Sequence, residues 1–240
     1  RDLKSIYIDL NKVDEYADFA STIPGGANFD VNERDSLTYV AAERIYMRGE
    51  TDEARKSFLR YLQTFPEGAF SLDANYYLGL IDYNKKDYGS SLSFFNKVLE
   101  YPNNKYSEGA MLMSAEMAYA TKEYVRSLEL YKLLRNRVST PEKHHTVASG
   151  MLRSAAKLGN REEIILASTA VLSDTKIAPE LEAEARHYRS KALVEAGQEE
   201  QAVSDWDILA KDTRNVYGAE AKYRLAQHWF DMGKLAEAEK

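Results

Sequence analysis

A large apolar side chain returns along this chain at a nearly constant interval, and that interval limits the possible folds more than any other feature. Phe58, Phe95, Tyr131 and Trp206 share one phase, with Ser168 in the fourth place, so the steps are 37, 36, 37 and 38 residues. A period held over five units marks repeated supersecondary units, each leaving an apolar face that its neighbour covers. The sharpest unit runs from Tyr76 to Pro102. Leu78, Gly79 and Tyr83 mark a first amphipathic helix, and Lys85-Lys86-Asp87-Tyr88 is a polar turn. Ser91, Phe95 and Val98 then recur at three- and four-residue steps on a second helix. Gly79 and Ser91 are small where the two helices must approach closely.

The Tyr-Leu-Gly motif, the turn, the small residue, the aromatic and the closing Pro102 together resemble the tetratricopeptide repeat (TPR) family. The period exceeds the standard repeat, roughly 34 residues, by about two to four, and the surplus is assigned to inter-repeat loops such as 101–106 and 173–179. The resemblance implies an all-α fold: a right-handed α-solenoid of antiparallel helix hairpins, the TPR superhelix, with about six repeats. Residues 1–34 are expected to form a partial or irregular helical hairpin, with Phe29 anchoring the loop after Pro24-Gly25-Gly26. Residues 35–240 are expected to form the array, with repeats starting near 35, 72, 108, 145, 183 and 219, the last one truncated. In the fourth repeat Leu152 and Ile164 occupy both small places and Ser168 the aromatic one, so the two helices should stand farther apart there.

Composition narrows the function. The 240 residues carry a formal charge of −6, which argues against nucleic acid, whose binding favours a basic face. The absence of cysteine excludes disulfides and Cys-type zinc sites. No apolar run is long enough to cross a membrane as a helix, so no direct membrane insertion is expected. The chain begins with Arg1 and stops inside a helical pattern, as a cut piece of a longer protein would. His144-His145 beside Glu142 does not make a metal site, because adjacent helical residues do not share a face. Pro24-Gly25-Gly26-Ala27 lacks the Gly-Lys-Ser/Thr ending of a phosphate loop and reads as a turn. No cofactor is expected, and no paired-carboxylate or Ser-His-Asp spacing points to an enzyme.

In the TPR family the first helices of successive hairpins line a binding groove. Carried onto this sequence, that resemblance assigns the groove to Tyr39, Glu43 and Tyr46, then Tyr76, Leu80 and Tyr83, then Glu116 and Tyr119. Further along it assigns Arg153 and Lys157, then His187 and Lys191. The groove is thus tyrosine-rich in its first half and more basic around repeats four and five. Tyrosine suits a binding surface because it offers flat apolar area and a hydroxyl at modest entropic cost. The Lys and Asn pattern of chaperone-tail-binding TPR domains is absent, so capture of a carboxyl terminus is not expected.

The resulting expectation is a non-catalytic protein–protein interaction scaffold that binds a protein or peptide segment, with a further contact through the uncapped C-terminal repeat. Phe65-Pro66-Glu67-Gly68-Ala69-Phe70 and the Lys-Asp-Tyr turn also resemble bacterial cell-envelope TPR proteins of the Tol-Pal-associated periplasmic type. That resemblance implies a periplasmic or envelope-associated location, with the cytoplasm as the alternative. The rival functions are a carbohydrate-binding component of an envelope uptake system and an accessory domain of a larger enzyme or sensor.

Overall fold

The computed structural model describes residues 2–25, 30–174, 177–212 and 215–238; Phe29 lies outside them. All regular structure among the described residues is α-helical. The chain divides into two compact units, residues 1–113 and 114–240.

In the first unit α1 (Leu3–Asp9) and α2 (Val13–Thr22) lean on α3 (Val31–Met47), burying Ile8 and Val13 against Ala41. From there α3 packs on α4 (Thr51–Thr64), α4 on α5 (Ser71–Asn84), and α5 on α6 (Tyr88–Leu99). This is a row of hairpins in chain order. Small residues set the approach within each hairpin. Ala42 and Ala54 are fully buried. A Cβ on Gly79 would stand 2.5 Å from the Phe95 ring, so that ring occupies the space that a side chain would need. The Ser91 hydroxyl donates to the Gly79 carbonyl at 2.8 Å, satisfying a buried polar group across the same contact. Each hairpin turn needs a left-handed residue. Gly49 supplies it between α3 and α4, but Lys86 does so between α5 and α6, at φ 61°.

Helix starts follow capping chemistry rather than the period alone. Asp30 accepts from the Glu33 amide and starts α3 at Val31, four residues ahead of Asp35. Asp35 is therefore inside the helix and buried, where it accepts from the Tyr61 hydroxyl (2.5 Å) and the Ala69 amide (2.7 Å). The Tyr61 oxygen in turn accepts from the Phe70 amide at 3.0 Å, which fixes the joint between α4 and α5. Arg55 grips the buried Asp82 with two bonds of 2.7 and 2.9 Å, tying α4 to α5 a second time.

The second unit holds part of α7 (Ser107–Ala120), then α8 (Tyr124–Leu134), α9 (Pro141–Leu158) and α10 (Arg161–Leu172). It continues with α11 (Pro179–Glu195), α12 (Glu199–Lys211), α13 (Gly218–Asp231) and α14 (Leu235–Ala238). From α8 onward each helix packs on the next. The Ser127 hydroxyl donates to the Ala115 carbonyl at 2.9 Å, repeating the Ser91–Gly79 contact. Leu152, Ile164 and Ser168 are all buried, so the larger pair and the missing ring fall in the same hairpin. Tyr131 fills the space over Gly150, where a Cβ would stand 2.2 Å from the ring. Thr140 caps α9 and Pro141 follows at its first position, where a missing N–H costs nothing. Asp205, fully buried on α12, accepts from Arg186 (3.0 Å) and from both ends of Arg189 (2.8 and 2.7 Å) on α11.

Candidate functional site on the first helices

In the first unit the tyrosines are held by other rings. Tyr39 is 4% exposed, stacked on Phe70 at 4.5 Å and edge-on to Tyr61. Its hydroxyl donates to Glu43 at 2.9 Å, and burial together with that bond pushes its pKa well above the ordinary phenol value. Tyr39 is therefore a core side chain, and its assignment to the groove is corrected: the ring of Phe70, just before α5, stacks on it and seals it. Tyr46 packs on Tyr77 at 4.8 Å and on Phe58. Tyr76 stacks on Tyr106 at 4.0 Å and 15°, and Tyr83 lies 6.2 Å from Tyr88. Glu43, Tyr46, Tyr76, Leu80 and Tyr83 all keep part of their surface open. Tyr106 donates to Asp73 at 2.6 Å; burial first and this bond second raise its pKa to about 12.

These contacts form one recurring joint. Tyr39 and Tyr76 stand three residues before the close-approach residues Ala42 and Gly79, and each stacks on a ring just before the next first helix, Phe70 or Tyr106. His187, three before Ser190, does the same with Tyr217 at 4.2 Å and 15°. Sequence reasoning missed Tyr106 and Tyr217. Their signal was available, since Phe70, Tyr106 and Tyr217 share one phase of the repeat.

In the second unit the expected residues gather around two concavities. Glu116, Tyr119 and Arg153 line one of about 510 Å³, together with Tyr131, Ser149, Ala178, Glu180, Leu181 and Glu184. His187 and Lys191 line another of about 200 Å³, beside Trp206, Tyr217 and Glu220. Lys157 is exposed on α9 and lines neither. Arg153 pairs with Glu184 through two bonds of 3.0 and 2.8 Å, which raises the guanidinium pKa further. Burial lowers the pKa of His187, against the smaller opposing pull of Glu220, so the ring is neutral at pH 7. No group of three or more His, Cys, Asp or Glu among the described residues is placed to hold a metal. No helix among them is long and apolar enough to cross a membrane.

Hairpins packed in chain order, small residues at the cross-helix contacts and side chains of the first helices gathered around open concavities define a TPR-like helical repeat. No protein-family model matches the chain. No curated protein matches it either. Among solved structures it is similar to the crystal structure of yeast Tom70, with 16% identity and a TM-score of 0.46 over 99% of this chain and 47% of that one. The chain thus spans about half the length of that protein.

Proposed function

We propose that this protein is a non-catalytic scaffold that holds a segment of a partner protein along the first helices of its hairpins. The observation that carries this reading is the gathering of Glu116, Tyr119 and Arg153 around one concavity and of His187 and Lys191 around another, all on first helices. Such sites pair an apolar floor with a few polar groups that fix orientation. The open side of α13, where Tyr223 and Phe230 are each 64% exposed, is a further contact surface in this proposal. The resemblance of the 65–70 joint to cell-envelope TPR proteins is the support for a periplasmic setting, which fractionation of the native host would test.

The binding test places a photo-crosslinking residue at Lys157 or Lys191 on first helices, or at Glu129 or Ser204 on second helices, all four exposed. Crosslinks to a common partner from the first-helix positions alone are the expected result. Crosslinks from the second-helix positions alone would overturn the assignment.

A further inference from the structure

The joint between α9 and α11 lacks the stacked pair that closes three other joints. By the register that sets Tyr39, Tyr76 and His187 three residues before Ala42, Gly79 and Ser190, the residue facing this joint is Ser149, three before Leu152. The residue just before α11 is Ala178, where Phe70, Tyr106 and Tyr217 stand elsewhere. Both Ser149 and Ala178 line the 510 Å³ concavity, so the space that rings fill at the other joints is open here. The Ser149 hydroxyl is turned back to the His145 carbonyl at 2.7 Å and adds no bulk.

One negative charge at this slot has no partner. Glu116, Glu180 and Glu184 line it with Arg153 and His145; Glu116 is already engaged and His145 faces Asp174. Arg153 is committed to Glu184 by two bonds, so that pair is internally neutral. The Glu180 side chain is exposed and makes no hydrogen bond or ion pair among the described residues. The rings of Tyr119 and Tyr131 form part of the wall.

We propose that this slot is a socket for an arginine side chain on an extended segment of the partner. The inference rests on the scaffold reading and adds the chemistry of the occupant. Arginine is the side chain that is both planar and cationic at every physiological pH. Its plane takes the place of the ring stacked at the other joints, and its charge answers Glu180. Lysine offers the charge without the plane, and an aromatic residue offers the plane without the charge.

The test selects binders to the intact chain from a displayed library of random linear peptides and measures their affinity for the wild type, Ala178→Tyr, Glu180→Gln and Lys191→Glu. The expected winners share an arginine. Replacing it by citrulline, which keeps the plane and drops the charge, or by lysine, weakens binding. Glu180→Gln lowers affinity roughly fivefold, as the loss of a partly exposed charge contact should. Ala178→Tyr refills the slot and lowers affinity further, with an unchanged circular dichroism melt. Winners anchored by Phe or Tyr and indifferent to Glu180→Gln would overturn the arginine assignment. Winners sensitive only to Lys191→Glu would overturn the socket and leave the scaffold reading standing. A library yielding no binder would overturn both. Should Ala178→Tyr fail to fold, Glu180→Gln and the citrulline peptide decide the matter.

Discussion

The run from α3 to α6 and the run from α9 to α12 use the same hairpin and differ in what closes the joints. In the first, Tyr39, Phe58, Tyr61, Phe70 and Tyr77 lock against one another, and Tyr106 covers Tyr76. In the second, Ser149, Gly150 and Ala178 stand at one joint, and charged side chains rim the space they leave. Tyrosine content is therefore a poor guide to where open surface lies. A ring that has found another ring is already occupied, while small residues in the same register leave an opening.

The largest effects should come from side chains that both runs need inside a hairpin. Phe58→Ala and Trp206→Ala should each cost about 3–5 kcal/mol in chemical unfolding. Equal costs would show that the two runs share one core logic, and a loss below about 1 kcal/mol in either would break the comparison. Next is Asp205→Ala, which strands Arg186 and Arg189 beside a buried site. About 3 kcal/mol is expected, at the lower end for a broken buried pair because both guanidiniums keep some exposure.

The joints themselves give the sharper contrast. Tyr106→Ala removes a stacked ring and should cost about 2 kcal/mol. Ala178→Tyr adds one where space exists and should change stability by less than about 0.5 kcal/mol. A large loss in the second variant would mean that the slot is not open. The hairpin turns predict a gain: Lys122, at φ 66°, occupies a place that Gly49, Gly159 and Gly197 fill elsewhere. Lys122→Gly should stabilise the fold by about 1 kcal/mol, as a thermal melt would show.

The smallest effect concerns pH. Burial lowers the pKa of His187 in the folded state below its ordinary value. The unfolded chain therefore binds a proton that the folded chain resists, and the stability from this neutral ring is present above pH ~6.5 and is lost as pH falls through the lowered folded value. His187→Phe should flatten the stability profile below pH ~6.5 and retain the stack on Tyr217. A profile that stays as steep as the wild type would assign the acid sensitivity to other groups.

The all-helical run of hairpins was legible because it depends on phase: small residues at 42, 79 and 115 and apolar rings at 58, 95 and 131 repeat at one interval. Depth was not legible. Tyr39 and Tyr76 share a phase, but Tyr39 is sealed by Phe70 on one side and by Phe58 and Tyr61 on the other. Period alone also did not show where helices begin. Asp30 and the Thr140-Pro141 pair start α3 and α9 about one turn ahead of the register, because a good cap outweighs a repeat count. The joint stacks escaped notice because their partners lie some thirty residues apart, one on a first helix and the other just before the next first helix. Glu184 escaped for a similar reason: its role appears only once α9 brings Arg153 beside it.

The stacked joint uses two rings per hairpin, and the first-helix ring also touches its own second helix, Tyr39 on Phe58 and Tyr61, Tyr76 on Phe95. Exchanging a ring pair for a serine and an alanine would convert a shut seam into an open slot, at the cost of those contacts inside the hairpin. In a protein assembled from such units, the order of shut and open seams along the chain would set where space is left between hairpins and how far apart those spaces stand.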